Sequence, residues 1–591
     1  MDFTTTDENQ VNTCQTSGQN TFSHDNITAC EKYVLRIQRR LDKAVANDDK
    51  SKIRWYSHLL MKRSRAVKIL AVHRVCQVNS GKHTAGVDGV SIPKERDGKL
   101  PTMLALLNDI DIERKPQPIR RVYIPKPNGD KRPLGIPTLS DRINQDIIRQ
   151  AIEPICEYHF QDCSYGFRPK RNCQDAMSDL YNKLSKSYGK RWIVEGDIKG
   201  CFDHINHDHI ISTLRQWQVP TPITAIIKGF LKADIMEESR TIPSAEGTPQ
   251  GGIISPMLAN VALTCLDEEI LDTYGKRYNT QRSKNPIVRY ADDFVIVAYN
   301  ETEAHNIKNH IKGFLKDKVG LTLSDEKTRI SEISNGFDFL GFNFRKYGEK
   351  DKLLIKPSKE SIKRVKTNIS RVFRKYRSNE ADTLIRHLIP IITGWANYYR
   401  HVVSKQIFSA IDSHIWTLTK QWILKKHDNP TTKFWTQRYF TKAKGNRWIF
   451  FDHQTKAILP KVNWTKIKRW IKIQYDKRVY DVNAKEYWDK REYLNAKDAI
   501  MGLGTLNKTF LEQKGRCAMC KSRITDEQVK DHQIHTHHMK PRSQGGGRWL
   551  RNLRLLHSDC HNRLHQQFSR KDMARFINNG IDYLRLLKPA K

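Results

Sequence analysis

The chain has 591 residues, 38% of them hydrophobic, with 12 Trp, 21 Tyr and 21 Phe. It is too long for one core, roughly four domains by length, and too rich in large apolar side chains to be disordered. Lys and Arg number 103 against 64 Asp and Glu, a formal net charge of +39, which suits a polyanionic partner, nucleic acid first, because neutralising phosphates releases counterions.

An anionic membrane surface is the competing partner. However, no unbroken apolar run is long enough to span a bilayer; the longest candidate, GGIISPMLANVALTCL, is broken by Pro256 and Asn260. Eight of the eleven cysteines are scattered without a disulfide pattern, and the polar start MDFTTTDENQ lacks the apolar core of a signal peptide. The expectation is a reduced, cytosolic-type compartment.

Residues 1–30, rich in Thr, Asn, Gln and Ser, are expected to be a flexible N-terminus. A helix follows in EKYVLRIQRRLDKAVANDD, where Val34, Ile37, Leu41 and Val45 recur every three or four residues. From about 80 to 340 short strands alternate with helices and turns. RRVYIPKPNGDKRPLGIP reads as a hairpin turning at Asn128-Gly129. RWIVEGDIKGCFDHI reads as a buried strand running into a turn, and NPIVRYADDFVIVAY as a second hairpin with Ala291–Asp293 at its tip. From about 350 the chain turns helical and basic. ESIKRVKTNISRVFRKYR puts Ile362, Val365, Ile369, Val372 and Phe373 on one face and cations on the other, and GWANYYRHVVSKQIFSAIDSHIWTLTKQWILKK is a further helical block. Residues 461–494 interleave charge with aromatics, and 505–591 carry their own Cys/His pattern. No internal repeat is visible.

Two adjacent aspartates between apolar runs, in VRYADDFVIV, could be a plain turn, since Asp favours turns. They also fit a polymerase. Nucleotidyl transfer needs rigid carboxylates holding two divalent ions about 3.5–4 Å apart. Asp292 and Asp293 at a hairpin tip, with Asp197 at the end of the strand in WIVEGDIKG, would supply three such groups.

YADD at 290–293, DIKGCFD at 197–203 and GTPQGGIISPMLAN at 247–260 together resemble the reverse transcriptase palm. Their order and spacing resemble the reverse transcriptases encoded by group II introns. YIPKPNGDKRPLGIPT, SYGFRPKRNCQDA, LSDEKTRI and FDFLGFNF are similar to further blocks of that family, and GWANYYRH to its maturase (thumb, or X) domain. The resemblance implies a multidomain α+β protein. A right-hand polymerase with fingers and palm over 31–345 would be followed by an α-helical thumb/X domain over 346–430 and a basic DNA-binding region over 431–504.

Residue by residue, the resemblance implies that Asp197, Asp292, Asp293 and the Ile198 carbonyl hold two Mg²⁺ ions. Phe202 would block a ribose 2′-hydroxyl; its other reading is a core aromatic. Lys126 and Arg132 would grip the dNTP triphosphate through charge-assisted bonds, or be an ordinary basic hairpin. Gln250 would line the nucleotide and template pocket. Lys327 would donate a proton to pyrophosphate, or be an exposed lysine on a charged loop. Mg²⁺ would offset the repulsion between neighbouring aspartates.

Near the C-terminus, CAMC at 517–520 and HSDC at 557–560 make a C-x₂-C…H-x₂-C set. Cys517, Cys520, His557 and Cys560 match structural tetrahedral zinc; the bland reading is free thiols. Between them lies HTHHMKPRSQGGGRWLRNLRLLH, similar to the HNH nucleases of ββα-metal fold. That resemblance makes His538 the general base, a role suited to imidazole. It makes His537 and His561 ligands of one Mg²⁺ or other divalent ion, and Asn552 the residue orienting loop and base. His535 and His565 are alternatives for some of these roles. The nuclease domain is expected over 505–591.

The segments between lack catalytic residues and are expected to bind, with aromatics stacking on bases and cations on phosphates. Trp464, Trp470, Tyr475 and Tyr480 are candidates, about half of them expected to be core residues, together with Lys466, Lys468 and Arg469. By resemblance the thumb/X region binds intron RNA and 431–500 contacts target DNA.

The reading that follows is a multifunctional group II intron-encoded protein: RNA-directed DNA polymerase, maturase and HNH endonuclease cutting the second target strand. Its partners would be intron RNA in a lariat particle, double-stranded DNA and dNTPs, with no membrane. Its place would be the bacterial cytoplasm or nucleoid, or an organelle of bacterial origin. Rival readings are a splicing-only maturase and a domesticated host reverse transcriptase.

Overall fold

In the computed structural model, residues 21–586 are described apart from 126–128, 130, 186–190, 239, 245, 276–285, 429, 501–504, 531–532 and 548. The first helix, His24–Ala46, starts inside the stretch expected to be flexible. Ser23 accepts the Asn26 N–H and caps it, and Ile27 and Cys30 are already buried. The missed signal is the Ser-His-Asp-Asn start, which the low hydrophobicity of its surroundings outweighed. Val34, Ile37 and Leu41 continue the apolar stripe, which packs on helices Arg65–His73 and Leu139–His159. Of the stretch expected to be flexible, residues 24–30 are helical, and residues 1–20 lie outside the described residues.

Two compact units interleave along the chain. One takes residues 1–160, 200–262 and 476–591; the other takes 161–199 and 263–475. The run 31–345, expected as fingers and palm together, is thus divided between them, because strand pairing joins segments far apart in sequence.

The first unit holds the N-terminal helices and a four-stranded sheet. Strands Ile119–Pro125 and Lys131–Ile136 form the expected antiparallel hairpin, and Ile235–Glu237 and Arg240–Ile242 extend it. The same unit holds the C-terminal hairpin, Ile534–His538 against Leu553–His557, followed by helices Ser558–Gln567 and Arg570–Asn578. The helix preceding the boundary expected at 505 packs on the segment that follows it. Ala496 and Ile500 of helix Lys485–Ile500 share a core with Phe510, Ile524 and Leu555. Ile500, Phe510 and Leu555 each contribute about 1.5–3 kcal/mol on full burial, so this helix packs as part of the C-terminal segment.

The second unit is built on a four-stranded antiparallel sheet, ordered Ile287–Tyr290, Asp293–Ala298, Trp192–Gly196, Arg329–Glu332. Val and Ile fill its interior: Ile193, Val194, Ile287, Val288 and Val295–Val297 are all at most 1% exposed. Helix Glu301–Phe314 lies against this sheet. At Gly196 a Cβ would stand 2.1 Å from the Phe294 ring, so only glycine lets the central strand pass. A three-stranded sheet, Phe337–Phe339, Phe342–Tyr347 and Lys352–Pro357, follows. Helices Lys359–Lys375, Ala381–Tyr399 and Lys405–Lys426 come next, the block expected as one helical run being broken at 400–404. Tyr398 donates to the Leu340 carbonyl at 3.0 Å and ties GWANYYRH to FDFLGFNF. Among the described residues no helix is long and apolar enough to cross a membrane.

Two candidate active sites

The two-residue connection Ala291-Asp292 joins strands Ile287–Tyr290 and Asp293–Ala298, Tyr290 standing opposite Asp293. Ala291 has φ +58, the left-handed value that the first central residue of a II′ hairpin turn requires and that glycine normally supplies. Gly196 pairs with Phe294, so the next step of the same register sets Asp197 across from Asp293. Three carboxylates thereby collect at the ends of two neighbouring strands.

Asp293 opens to solvent on one side and is hemmed in by protein on the others. Desolvation first, then the charges of Asp292 and Asp197, push its carboxyl up to about 6, while Lys327 pulls the other way. Lys327 Nζ lies 2.8 Å from Asp197 Oδ2, and this hydrogen bond raises the lysine above its ordinary value. Ile198 is buried and bridges Leu323. The bonds of that bridge run from Lys199 N–H to Thr322 and from Ser324 N–H to Asp197, leaving the Ile198 carbonyl outside the pairing. One lysine among three acids leaves an excess of negative charge, and hard oxygen donors of this kind suit divalent magnesium.

A glycine guards this turn. A Cβ on Gly166 would lie 2.4 Å from the Ala291 backbone nitrogen. Gly166→Ala is expected to push the turn aside and lower the polymerisation rate about 100-fold, the cost of misplacing reacting groups by an ångström. Single-turnover primer extension measures it, and a rate near wild type would show that the turn yields freely.

In the first unit Phe202 is half-buried on the short helix Cys201–His204, and its carbonyl accepts the Thr248 N–H at 2.5 Å. Gln250 donates to Asp203 at 3.0 Å, and its carbonyl accepts the Gly135 N–H at 2.8 Å. The PQGG loop is thus pinned both to the finger hairpin and to Asp203, a partner the sequence reading did not single out. Arg132 is exposed on that hairpin opposite Ile124. Lys126 lies outside the described residues.

The second site lies in the C-terminal hairpin and the helix after it. His537, His561 and His565 come together with ligand atoms within 4.8 Å of one another. His561 and His565 are four apart on helix Ser558–Gln567, one face of the helix, and that spacing was the available signal for choosing His565. His535 shares a strand face with His537, and its Nδ1 lies 3.4 Å from His561 Nδ1. Burial first, then the neighbouring imidazoles, push His537 down to about 3 and His561 down to about 4, so both are neutral and available as ligands at pH 7. Tyr583 donates to the Met539 carbonyl at 2.8 Å and stands 2.7 Å from His537 Nε2. Its only proton is spent on the carbonyl, so the hydrogen bonds assign the shared proton to His537 Nε2 and leave Nδ1 as lone pair. No spacing in the sequence marks Tyr583.

His538 is out of phase with His537 by one residue and stands outside the cluster of three, at the strand end. Asn552, 4% exposed, accepts the Lys540 N–H at 2.7 Å and donates to the Lys540 and Gly547 carbonyls. It therefore closes the loop that follows His538.

Cys517, Cys520, His557 and Cys560 also converge, ligand atoms within 4.8 Å, three of the four residues buried. Cys520 Sγ stands 3.4 Å from His557 Nδ1 and Cys560 Sγ 3.9 Å from the same atom, so the imidazole already turns that nitrogen toward the thiols. Three thiols and an imidazole packed into a small core fit a tetrahedral metal, and Cys₃His is a zinc set. Cys517→Ser is expected to release the metal, measured by atomic absorption, and to open the segment after 505 to protease, because structural zinc supplies about 10–16 kcal/mol of apparent folding energy. Retained metal with unchanged protease resistance would contradict it.

The binding candidates divide. Trp470 donates its indole N–H to Asp175 at 2.9 Å, and the Tyr475 hydroxyl donates to Asp179. Tyr480 is buried and donates to Glu153 at 2.6 Å. Lys468 is half-buried, with its N–H on the Arg400 carbonyl and its own carbonyl 2.8 Å from His401 Nδ1. Lys466 and Arg469 are exposed, and Trp464 is half-buried under Lys444, 4.8 Å from its ring. Trp448, 45% exposed on the hairpin Phe440–Phe450, is a surface aromatic that the sequence reading missed.

Four family models match in chain order. They are the N-terminal domain of reverse transcriptase at 25–103 and the reverse transcriptase (RNA-dependent DNA polymerase) at 124–344. The group II intron maturase-specific domain follows at 362–440 and the HNH endonuclease at 517–567. Protein YkfC of Escherichia coli is 33% identical over 54% of this chain and 90% of its own length. The group II intron-encoded protein LtrA of Lactococcus lactis is 32% identical over 53% of this chain and 60% of its own. A telomerase structure from Candida albicans aligns at 12% identity with TM-score 0.32, covering 55% of this chain and 64% of that one, too weak a likeness to carry an argument.

The chain belongs to the group II intron-encoded reverse transcriptase–maturases that carry an HNH domain. It is an RNA-directed DNA polymerase and a DNA endonuclease in one polypeptide.

Proposed function

We propose that this protein binds and helps splice its own intron RNA, then installs a DNA copy of that RNA in a double-stranded target. The observation carrying this reading is that one chain holds both the three-carboxylate strand end and the three-histidine cluster. A splicing chaperone or a domesticated polymerase needs at most one of them. In this reading Asp197, Asp292 and Asp293, with the Ile198 carbonyl, would hold two Mg²⁺ ions, which would supply activation of the primer hydroxyl and charge neutralisation at pyrophosphate. Lys327, seated on Asp197, supplies the proton to the leaving group. Arg132 and Lys126 grip the triphosphate, Phe202 excludes the ribonucleotide and Gln250 lines the base-pair pocket.

His537, His561 and His565 hold the nuclease ion, His538 draws the proton from water and Asn552 fixes its loop. Zinc at Cys517, Cys520, His557 and Cys560 fastens that domain. The cut strand end then primes synthesis on the intron RNA. The site of action is the bacterial cytoplasm or nucleoid, or an organelle of bacterial origin.

RNA binding is supported by the thumb. Helix Lys359–Lys375 buries Val365, Ile369 and Phe373 and turns Lys359, Lys363, Lys366, Arg371 and Arg374 toward a cleft of about 590 Å³. Five cations along one open cleft match a phosphate backbone. Lys466, Arg469 and Trp464 remain the candidates for DNA contact, whereas the polar atom of Trp470 is spent on anchoring its segment to Asp175.

The experiment is to transcribe the genomic region around the reading frame and incubate it with purified chain. Protein-dependent release of lariat and ligated exons supports the maturase reading. Splicing that ignores the protein overturns it.

A further inference from the structure

Behind the catalytic turn lies a second layer that none of the assigned roles uses. Arg289, two residues before Ala291, is wholly buried and faces the equally buried Asp267 of helix Ser255–Tyr274. The contact is bidentate, Nε to Oδ1 at 2.8 Å and Nη2 to Oδ2 at 2.6 Å. The remaining arm, Nη1, donates to the Ala291 carbonyl at 3.0 Å. Ala291 is the residue held at φ +58. On the other side the backbone of Arg289 is gripped twice, its N–H by the Cys163 carbonyl and its carbonyl by the Tyr165 N–H, both at 2.9 Å.

A non-glycine residue in the left-handed region is strained and persists only where its surroundings over-determine it. Here the guanidinium fork does so. It needs three donors in one plane, which lysine cannot present. A buried ion pair is weak evidence of stability, since apolar replacements of similar volume are often neutral or better. The pair therefore calls for another reason to exist, and its third arm bonds the carbonyl of the residue just before Asp292.

We infer that Arg289, oriented by Asp267, is a positioning residue of the polymerase: it locks Ala291 in its left-handed conformation and so sets Asp292 and Asp293 at the spacing two divalent ions require. The inference rests on the reading of Asp292 and Asp293 as metal ligands. Arg289 touches neither substrate nor metal and acts only through the turn.

The test uses the full-length chain with a poly(rA) template and an oligo(dT) primer. The readouts are kcat, KM for dTTP, Mn²⁺ affinity by electron paramagnetic resonance, and thermal stability. In Arg289→Met/Asp267→Leu the pair is exchanged for apolar groups and Tm stays near wild type. The expected result is kcat about 100-fold lower, the cost of misplaced ligands, with weaker Mn²⁺ binding and little change in KM. Adding Ala291→Gly should restore about a tenth or more of the lost rate, because glycine takes positive φ without the clamp. If the double variant does not fold, Arg289→Lys, which keeps the charge but loses the fork, should give the same signature and the same rescue.

A folded variant with wild-type kcat and Mn²⁺ affinity overturns the inference. So does a loss that Ala291→Gly leaves unchanged, since that loss would come from packing. Asp292→Ala run alongside separates the two claims: if that variant still polymerises, the metal-ligand reading has failed; if it is dead while Arg289→Lys is normal, only the positioning role has.

Discussion

Asp292→Ala is expected to abolish DNA synthesis while leaving the chain folded. The aspartate sits in the two-residue turn next to Asp293, so its loss would remove one of the carboxylates proposed to hold the ions. Several kcal/mol of transition-state stabilisation go with it, and at 1.36 kcal/mol per tenfold the rate falls by about a thousandfold or more. Stability should move the other way. The Asp293 carboxyl, pushed up to about 6 from its ordinary 3.8, binds a proton more tightly folded than unfolded. The cluster therefore opposes folding increasingly as pH rises from about 4 to 6, and in full above 6. Removing Asp292 relieves part of that repulsion. In metal-free buffer at pH 7.5 the variant should melt higher than wild type, and the gain should shrink toward pH 4. Mg²⁺ should raise the wild-type Tm more than that of the variant. Calorimetry across pH, with and without Mg²⁺, checks this. A variant that loses activity because it melts lower would not support the assignment.

His538→Ala is expected to remove DNA cleavage and spare polymerisation. General-base catalysis contributes about 10²–10⁴-fold, so plasmid nicking should fall by that range. Metal affinity should hold, because the three imidazoles that cluster are His537, His561 and His565. His537→Ala should instead lose metal and cleavage together. A variant at 538 that binds metal poorly would place that residue among the ligands and displace it from the base role.

Much of this architecture is legible in local pattern. The Val/Ile runs flanking Ala291-Asp292 announce a hairpin with its acids at the tip, and the C-x₂-C and H-x₂-C pairs announce four converging donors. Pairings over long sequence distance are not legible. Strand Trp192–Gly196 lies between Asp293–Ala298 and Arg329–Glu332, about a hundred residues on, and period-two alternation is silent about partners. The anchoring of 465–475 is hidden for the same reason. KIKRWIKIQY looks like a nucleic-acid surface. Yet Lys472 and Tyr475 reach the buried Asp179, where Lys183 and Lys472 outweigh burial and hold that carboxyl below its usual range. Arg289 reads as an unremarkable basic residue before a turn, and only its contact with Asp267, from another element, discloses its use. Tyr583 is the same case in the nuclease.

The central claim is that one chain carries two separable metal-dependent active sites. The most direct measurement assays wild type, Asp292→Ala and His538→Ala in parallel for primer extension on an RNA template and for nicking of duplex DNA. Each variant should lose one activity and retain the other at wild-type level. Loss of both activities in either folded variant, or of neither, would contradict the account.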